Sequence, residues 1–264
     1  ATGFNTVLTN NGGMETKGID LALNVRVVNK PNLKWDVAVN ASTYDNKMTA
    51  VPGGSFVTQF AGAGILTKEG EAANQFYGLQ ATGVYSTDAA AASAGLQRRM
   101  ADGSLRAFTG GDVIFADLNR DKIIDDNDRA VIGNANASWI GGFSNRLAWK
   151  RFTFEALFTF SSGNDVYNYL RHQLESMSNT NNQLQSAGNR WRSNGQITNT
   201  PKASYGDPMG NAQFSSRWIE DGSYLRLRTL SVSYNVPVSG KGMVKDLNIY
   251  LHGNNLLTFT KYLG

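Results

Sequence analysis

Residues 18–28 read GIDLALNVRVV, and their reading sets the fold class. Ile19, Leu21, Leu23, Val25 and Val27 share one face of an extended chain, while Asp20, Ala22, Asn24 and Arg26 share the other. Successive side chains on a strand point opposite ways, so this alternation predicts a strand with one apolar and one polar face. Residues 33–43, LKWDVAVNAST, repeat the pattern. Leu33, Trp35, Val37, Val39 and Ala41 oppose Lys34, Asp36, Ala38, Asn40 and Ser42. Asn29–Asn32, which contains Pro31, reads as the turn of a long-armed hairpin.

Two further hairpins follow. In residues 138–162, Phe152, Phe154, Ala156, Phe158 and Phe160 share a face opposed by Thr153, Glu155 and Thr159, and Lys150-Arg151 marks a tight turn. Residues 227–237 and 247–256 form the third pair. There Leu230, Val232 and Tyr234 match Leu247, Ile249 and Leu251 as apolar positions, across a turn holding Pro237, Gly240 and Gly242. Residues 52–75, 85–112 and 161–217 are long, polar and irregular by contrast, with a short helix predicted over 165–177. Short turns at one end of the strands therefore alternate with long connections at the other.

Composition agrees with many strands and turns. Charged residues are 17% of the 264, below the roughly 25% of ordinary soluble domains, while glycine reaches 28 residues and aromatics 11%. The net charge of +4 is spread rather than clustered, which gives no concentrated basic face for nucleic acid. Cysteine is absent, which removes disulfides, thiolate metal sites and a cysteine nucleophile. No apolar run approaches the length of a membrane helix, but a membrane β-barrel announces itself by alternation instead. Trp35, Trp139, Trp149, Tyr234 and Tyr250 fall near strand ends, as interfacial aromatics would. On periodicity alone, a barrel and a soluble β-sandwich that binds carbohydrate both stay open.

One stretch breaks the alternation. Residues 117–128, DLNRDKIIDDND, place oxygen ligands at positions 1, 3, 5, 7, 9 and 12 of a twelve-residue loop: Asp117, Asn119, Asp121, the Ile123 carbonyl, Asp125 and Asp128. That spacing predicts a structural calcium site, with apolar Ile124 pinning the loop. Two positions depart from the pattern. Lys122 stands where glycine is usual, at a cost of about 1 kcal/mol in a left-handed turn, and Asp128 is shorter than the usual Glu. The expected affinity is therefore modest, roughly 10⁻⁴–10⁻³ M. The alternative is an acidic turn without metal.

Signals for catalysis are weak. His172 and His252 have no metal-ligand neighbours at helical or strand spacing, and no G-x-S-x-G elbow exists. Residues 62–68, GAGILTK, lack the G-x-x-x-x-G-K spacing of a phosphate loop. The chain reads as a non-enzyme.

The string RWIEDGSYLRLRTLSVSYNVP, residues 217–237, resembles the SusC/RagA group of TonB-dependent outer-membrane transporters of Bacteroidetes. Residues 14–23, 111–145, 189–195 (NRWRSNG), 203–211 (ASYGDPMGN) and 251–262 (LHGNNLLTFTKY) resemble the same group, in the same order. The resemblance implies a barrel of about 22 antiparallel strands with long extracellular loops, plugged by a separate domain. It also implies TonB-powered import of glycans or peptides across the outer membrane, a SusD-like surface lipoprotein over the mouth, and an extracellular position for the acidic loop. Residues 1–264 then read as a partial barrel domain without its plug, the C-terminal portion, with about eight or nine strands. Asp20, Asn24, Arg26, Lys34, Asp36 and Glu155 are the candidate lumen residues. The residues expected to face lipid are Ile19, Leu21, Leu23, Val25, Phe152, Phe154 and Phe158.

Overall fold

The computed structural model describes residues 11–238 and 244–263. The alternating stretches become one six-stranded antiparallel sheet. Strand β1 (Gly13–Lys30) pairs with β2 (Leu33–Ala50) around Pro31-Asn32, a tighter turn than the four residues expected from sequence. The chain then leaves the sheet. It builds β3 (Ser55–Phe60), β4 (Ala63–Lys68), β5 (Gln75–Leu79), β6 (Ala81–Val84), helix α1 (Asp88–Ala94), β7 (Gln97–Arg99), β8 (Leu105–Ala107), β9 (Val113–Phe115), β10 (Ile123–Ile124) and β11 (Arg129–Asn134). It returns to the sheet as β12 (Trp139–Trp149) and β13 (Phe152–Ser162), joined at Lys150-Arg151 as the sequence predicted. A second excursion holds β14 (Asp165–Tyr167), α2 (Tyr169–Glu175) and β15 (Ile219–Asp221), before β16 (Tyr224–Val236) and β17 (Leu247–Thr260) complete the sheet. The spatial order is β1-β2-β12-β13-β16-β17, an unbroken meander. The turn predicted over 237–246 lies partly outside the described residues.

Six wall strands stand where about eight or nine were expected. The difference went into the long connections, which are not irregular. They fold into small sheets ordered β11-β5-β4-β3, β10-β7-β8, β6-β9 and β14-β15, forming a crown at one end of the wall. The segment predicted as one helix over 165–177 splits into strand β14 and the two-turn α2, whose first turn is capped by Asn168.

The crown, not the wall, holds the hydrophobic core. Leu79, Tyr85, Phe108, Val113, Phe115, Ile124 and Met209 form one buried cluster, and Ala63, Phe76 and Phe214 form another. Among the buried apolar residues only Leu227 belongs to a wall strand. The wall leaves large apolar side chains exposed instead: Ile19, Leu21, Leu23, Trp149, Ile249 and Leu251 among them.

Register explains that exposure. One lateral row across the sheet runs Leu23–Val39–Phe143–Phe158–Leu227–Leu257. The next runs Val25–Val37–Asn145–Ala156–Leu230–Gly253. Phe154, Val232 and Leu251 continue the same face below, and Phe152, Tyr234 and Ile249 below them. Phe143 and Phe158 stack at 4.5 Å and 9° on that face. Every residue expected to face lipid therefore lies on a single apolar surface. Its upper edge is sharp: above Ile19 the outward pairs become Lys17 with Asp45 and Glu15 with Lys47. An apolar band bordered by charge is what a strand needs in order to leave hydrocarbon for water. No helix among the described residues is long and apolar enough to cross a membrane, which leaves crossing by strands untouched.

Candidate functional site

The opposite face of the wall carries the polar side chains. Asp20, Asn24, Arg26, Lys34, Asp36 and Glu155, all expected on the lumen side, lie on this one face by register. Arg26 donates to Asp36 at 2.7 Å, and Arg146 meets Glu155 at 3.2 Å. These four form a lateral ladder of alternating sign, because Asp36 also sits opposite Arg146 across β2 and β12. Ser231 and His252 extend the row over β16 and β17. Exposed pairs of this kind contribute little stability, about 0–1 kcal/mol each, so their use is to leave a polar wall with balanced charge. Asp20 and Lys34 lie on the face outside this ladder, opposite Ser42 and Asn29.

Sequence reasoning missed three arginines here. Arg146 follows from the parity of Leu147 and Trp149, which place even-numbered positions of β12 inward, so its signal was legible. Arg226 and Arg228 were not separable by parity, because the register of β16 against β17 shifts between Leu227 and Thr229.

The side chains of the acidic loop accept hydrogen bonds from the loop's own backbone. Asp117 accepts from the backbone N–H of Arg120 and Lys122 at 2.7 and 2.9 Å. Asn119 and Asp121 accept from the N–H of Asp121 and Ile123. Asp125 caps a 3-10 turn at the N–H of Asn127 and takes a hydrogen bond from Arg99 at 3.0 Å. Those partners hold its carboxyl below the usual range, the backbone contact contributing most. Asp128 is fully buried and accepts from the N–H of Leu118 and Asp125. Among the described residues, no three carboxylate or imidazole groups converge on a position that could hold a metal. The calcium set predicted from spacing stays an expectation for a binding experiment to decide. Within the turn, carboxylates satisfy backbone donors that would otherwise lack partners. Arg120 and Lys122 both take positive φ, 63° and 64°, to make this possible. The Ile123 carbonyl is part of β10, which pairs in parallel with β7, and Ile124 anchors the loop in the core.

A second polar knot lies at the base of the crown. Trp218 is fully buried, with the guanidinium of Arg217 4.7 Å from its ring and that of Arg171 5.4 Å away. Arg171 also pairs with Glu220 and, at 3.1 Å, with Glu175. His172 lies against Trp218 at 4.8 Å, between the Tyr167 hydroxyl and the Ala212 carbonyl. Burial pushes His172 below its ordinary pKa, Tyr167 up to about 12 and Arg217 down to about 10. His172 is a half-buried linker between elements, and His252 lies far off on the polar face of the wall.

The two-faced wall under a folded crown can now be set beside known proteins. The chain is 32% identical, over its whole length, to TonB-dependent receptor P3 of Formosa agariphila, and 30% identical over 99% of its length to TonB-dependent receptor P26 of the same organism. The chain is similar, over its whole length, to part of these TonB-dependent receptors. It spans about a quarter of each of these curated relatives, 26% in both cases. In structure it resembles the chain solved as "Structure of the RagAB peptide transporter", with a TM-score of 0.77 at 22% identity, covering 100% of this chain and 28% of that one. The "closed-closed" state of the RagAB peptide importer gives a TM-score of 0.73 at 22% identity. At such identity the likeness establishes the fold, a wall of antiparallel β-barrel strands. No family model matches the chain.

The wall has two edges, β1 and β17, that do not pair with each other among the described residues. Open edges are not tolerated in hydrocarbon, because each unpaired backbone group costs several kcal/mol there.

Proposed function

We propose that this chain forms wall and extracellular crown of an outer-membrane importer driven through TonB, in a Gram-negative bacterium of the Bacteroidetes type. The cargo is an oligomeric nutrient of the glycan or peptide class. A plug carried elsewhere in the receptor meets TonB, and a SusD-like surface lipoprotein sits over the crown. The role is transport, with no bond made or broken by this chain.

The observation that carries the reading is the wall itself: six sequential strands with one continuous apolar face, one polar face, short turns at one end and the packed crown at the other. In membrane barrels of bacterial outer membranes the tight turns lie in the periplasm and the long connections outside. Residues 52–75, 85–112 and 161–217 are accordingly extracellular, and Lys150-Arg151 periplasmic.

The absence of cysteine from residues 1–264 gives a clean test. Cysteine is placed at the exposed crown residue Tyr205 or at Lys150 in the full receptor. Intact cells are then treated with a membrane-impermeant maleimide. Tyr205→Cys should label on intact cells and Lys150→Cys only after the outer membrane is opened. The reverse pattern overturns the orientation. Loss of growth on an oligomeric nutrient when the receptor is deleted, restored by the intact receptor alone, tests import.

A further inference from the structure

The polar face pairs its charges in the Arg26–Asp36–Arg146–Glu155 ladder, but two neighbouring arginines on the same face have no such pairing. Near the crown end of β16, Arg226 and Arg228 line a cavity of about 520 Å³ together with Thr159, Tyr224, Asn254 and Asn255. Among the described residues neither arginine has an acidic partner, whereas Arg26 and Arg146 each do. The register neighbours of Arg226 are Thr159 on β13 and Thr258 on β17, both neutral.

The backbone is bent to make this arrangement. On β16 the partners run Leu227 with Leu257 and then Thr229 with Asn254, so Arg228 is left unpaired opposite Asn255 and Leu256. Asn255 takes a φ of 52°, the left-handed conformation that asparagine tolerates better than most residues. A bulge of this kind re-aims a side chain and is enriched beside functional sites. Its effect is to put Arg226, Arg228 and Thr229 on the same polar face, while buried Leu227 keeps to the apolar one. Arg226 is held by a 3.1 Å hydrogen bond from Nε to Thr258 and by the Tyr224 ring at 5.0 Å. That grip uses Nε and leaves the rest of the guanidinium fork for a ligand. The amides of Asn254 and Asn255 add further polar groups.

We infer that this cavity is a subsite for a carboxylate of the transported oligomer. The inference rests on the import reading above and deepens it by naming the charge class of the cargo. Guanidinium forks match carboxylates in two-pronged geometry, and such charge-assisted bonds are about twice as strong as neutral ones. Two arginines without a counter-charge in a polar cavity also favour an anion electrostatically. The carboxylate can come from acidic residues of a peptide or from uronic acids of a glycan. The cavity recognises the group common to both.

The test uses the full-length receptor in detergent, with fluorescent tetra-aspartate, tetra-asparagine and tetragalacturonate as probes at low and high salt. The expected result is tighter binding of at least one carboxylate probe than of tetra-asparagine, weakened by salt. The carboxylate probe that binds identifies the source. Arg226→Gln with Arg228→Gln should lower that affinity about ten- to hundredfold, with tetra-asparagine binding unchanged, and Arg226→Lys with Arg228→Lys should retain part of the preference. Equal binding of acidic and neutral probes by the native receptor overturns the inference. So does an undiminished preference in the double glutamine variant, or an equal loss for all probes in both double variants. The two readings fail separately. If the double glutamine variant loses acid binding but deletion of the receptor leaves nutrient uptake intact, import fails and the subsite stands. If uptake needs the receptor but binding ignores charge, the subsite alone falls.

Discussion

Leu230→Arg should destabilise the receptor strongly, while Ser231→Arg, one residue away, should not. The magnitude follows from where Leu230 sits. The outward side chains of β13 run from Phe152 to Phe160, eight residue-to-residue steps along the strand, with Phe152 opposite Tyr234 and Phe160 opposite Leu225. At ~3.3 Å per residue that is about 26 Å of strand, and a tilt of ~40° reduces it to about 20 Å of height. An apolar belt is about 25 Å tall, so the rows at Phe152 and Phe160 lie near its two edges. Leu230 pairs with Ala156, the middle of that run. An arginine at the bilayer midplane of a barrel wall costs about 2–4 kcal/mol. Ser231 points the other way and pairs with Glu155, so an arginine there meets water and a carboxylate, with an expected change within about 0.5 kcal/mol. The assay is urea-dependent folding of the full receptor into lipid vesicles, followed by tryptophan fluorescence. Equal costs for the two variants, or a larger cost at Ser231, would refute the assignment of faces.

Asp112 is fully buried, accepts from Thr109 and Asn211, and pairs with Lys202 at 3.1 Å. Asp112→Ala should cost the crown about 3 kcal/mol, seen as faster proteolysis of the crown with the wall protected. Titration calorimetry with calcium up to about 1 mM, the weak end of extracellular sites, decides the acidic loop: a one-to-one isotherm abolished by Asp117→Ala supports the metal site expected from spacing, and no saturable heat leaves a turn capped by its own carboxylates. His172 is held below its ordinary 6.5 by burial. The unfolded crown therefore binds more protons just below that value, and stability is complete above pH 6.5 and falls as pH drops through that window. Crown protection against hydrogen exchange should weaken between pH 7.5 and about 5.5; His172→Gln should flatten this dependence, and an unchanged slope in that variant would assign the effect elsewhere.

The wall was legible in the sequence because its two faces meet different solvents. Residues 18–26 and 152–160 alternate almost throughout, with Leu157 the inward exception, since outward side chains must suit lipid and inward ones water, and no tertiary partner is needed to impose that pattern. The hairpin turn at Lys150-Arg151 was fixed in the same way, by the parity of the strands flanking it. The segments that resembled the SusC/RagA group span both parts of the structure: 14–23, most of 217–237 and most of 251–262 are wall strands, while 189–195 and 203–211 lie in the crown under heavy packing constraint, where Met209 and Asn211 are buried. The Trp191 ring would lie 2.5 Å from a Cβ added at Gly111.

Other features needed the tertiary structure. The crown looked irregular because its strands are short and pair between distant segments, so no local period marks them. Leu79 and Met209, for example, share one cluster across 130 residues of intervening chain. The acidic loop had a metal-like spacing, but spacing does not say which backbone donors its carboxylates satisfy; those contacts, the buried position of Asp128 and the reach of Arg99 came from the tertiary structure. The pairing of Arg226 with Arg228 around one cavity likewise depended on a register shift between β16 and β17. Alternation encodes which face a residue takes only while register holds, and a bulge is set by the partner strand rather than by the residues that it moves.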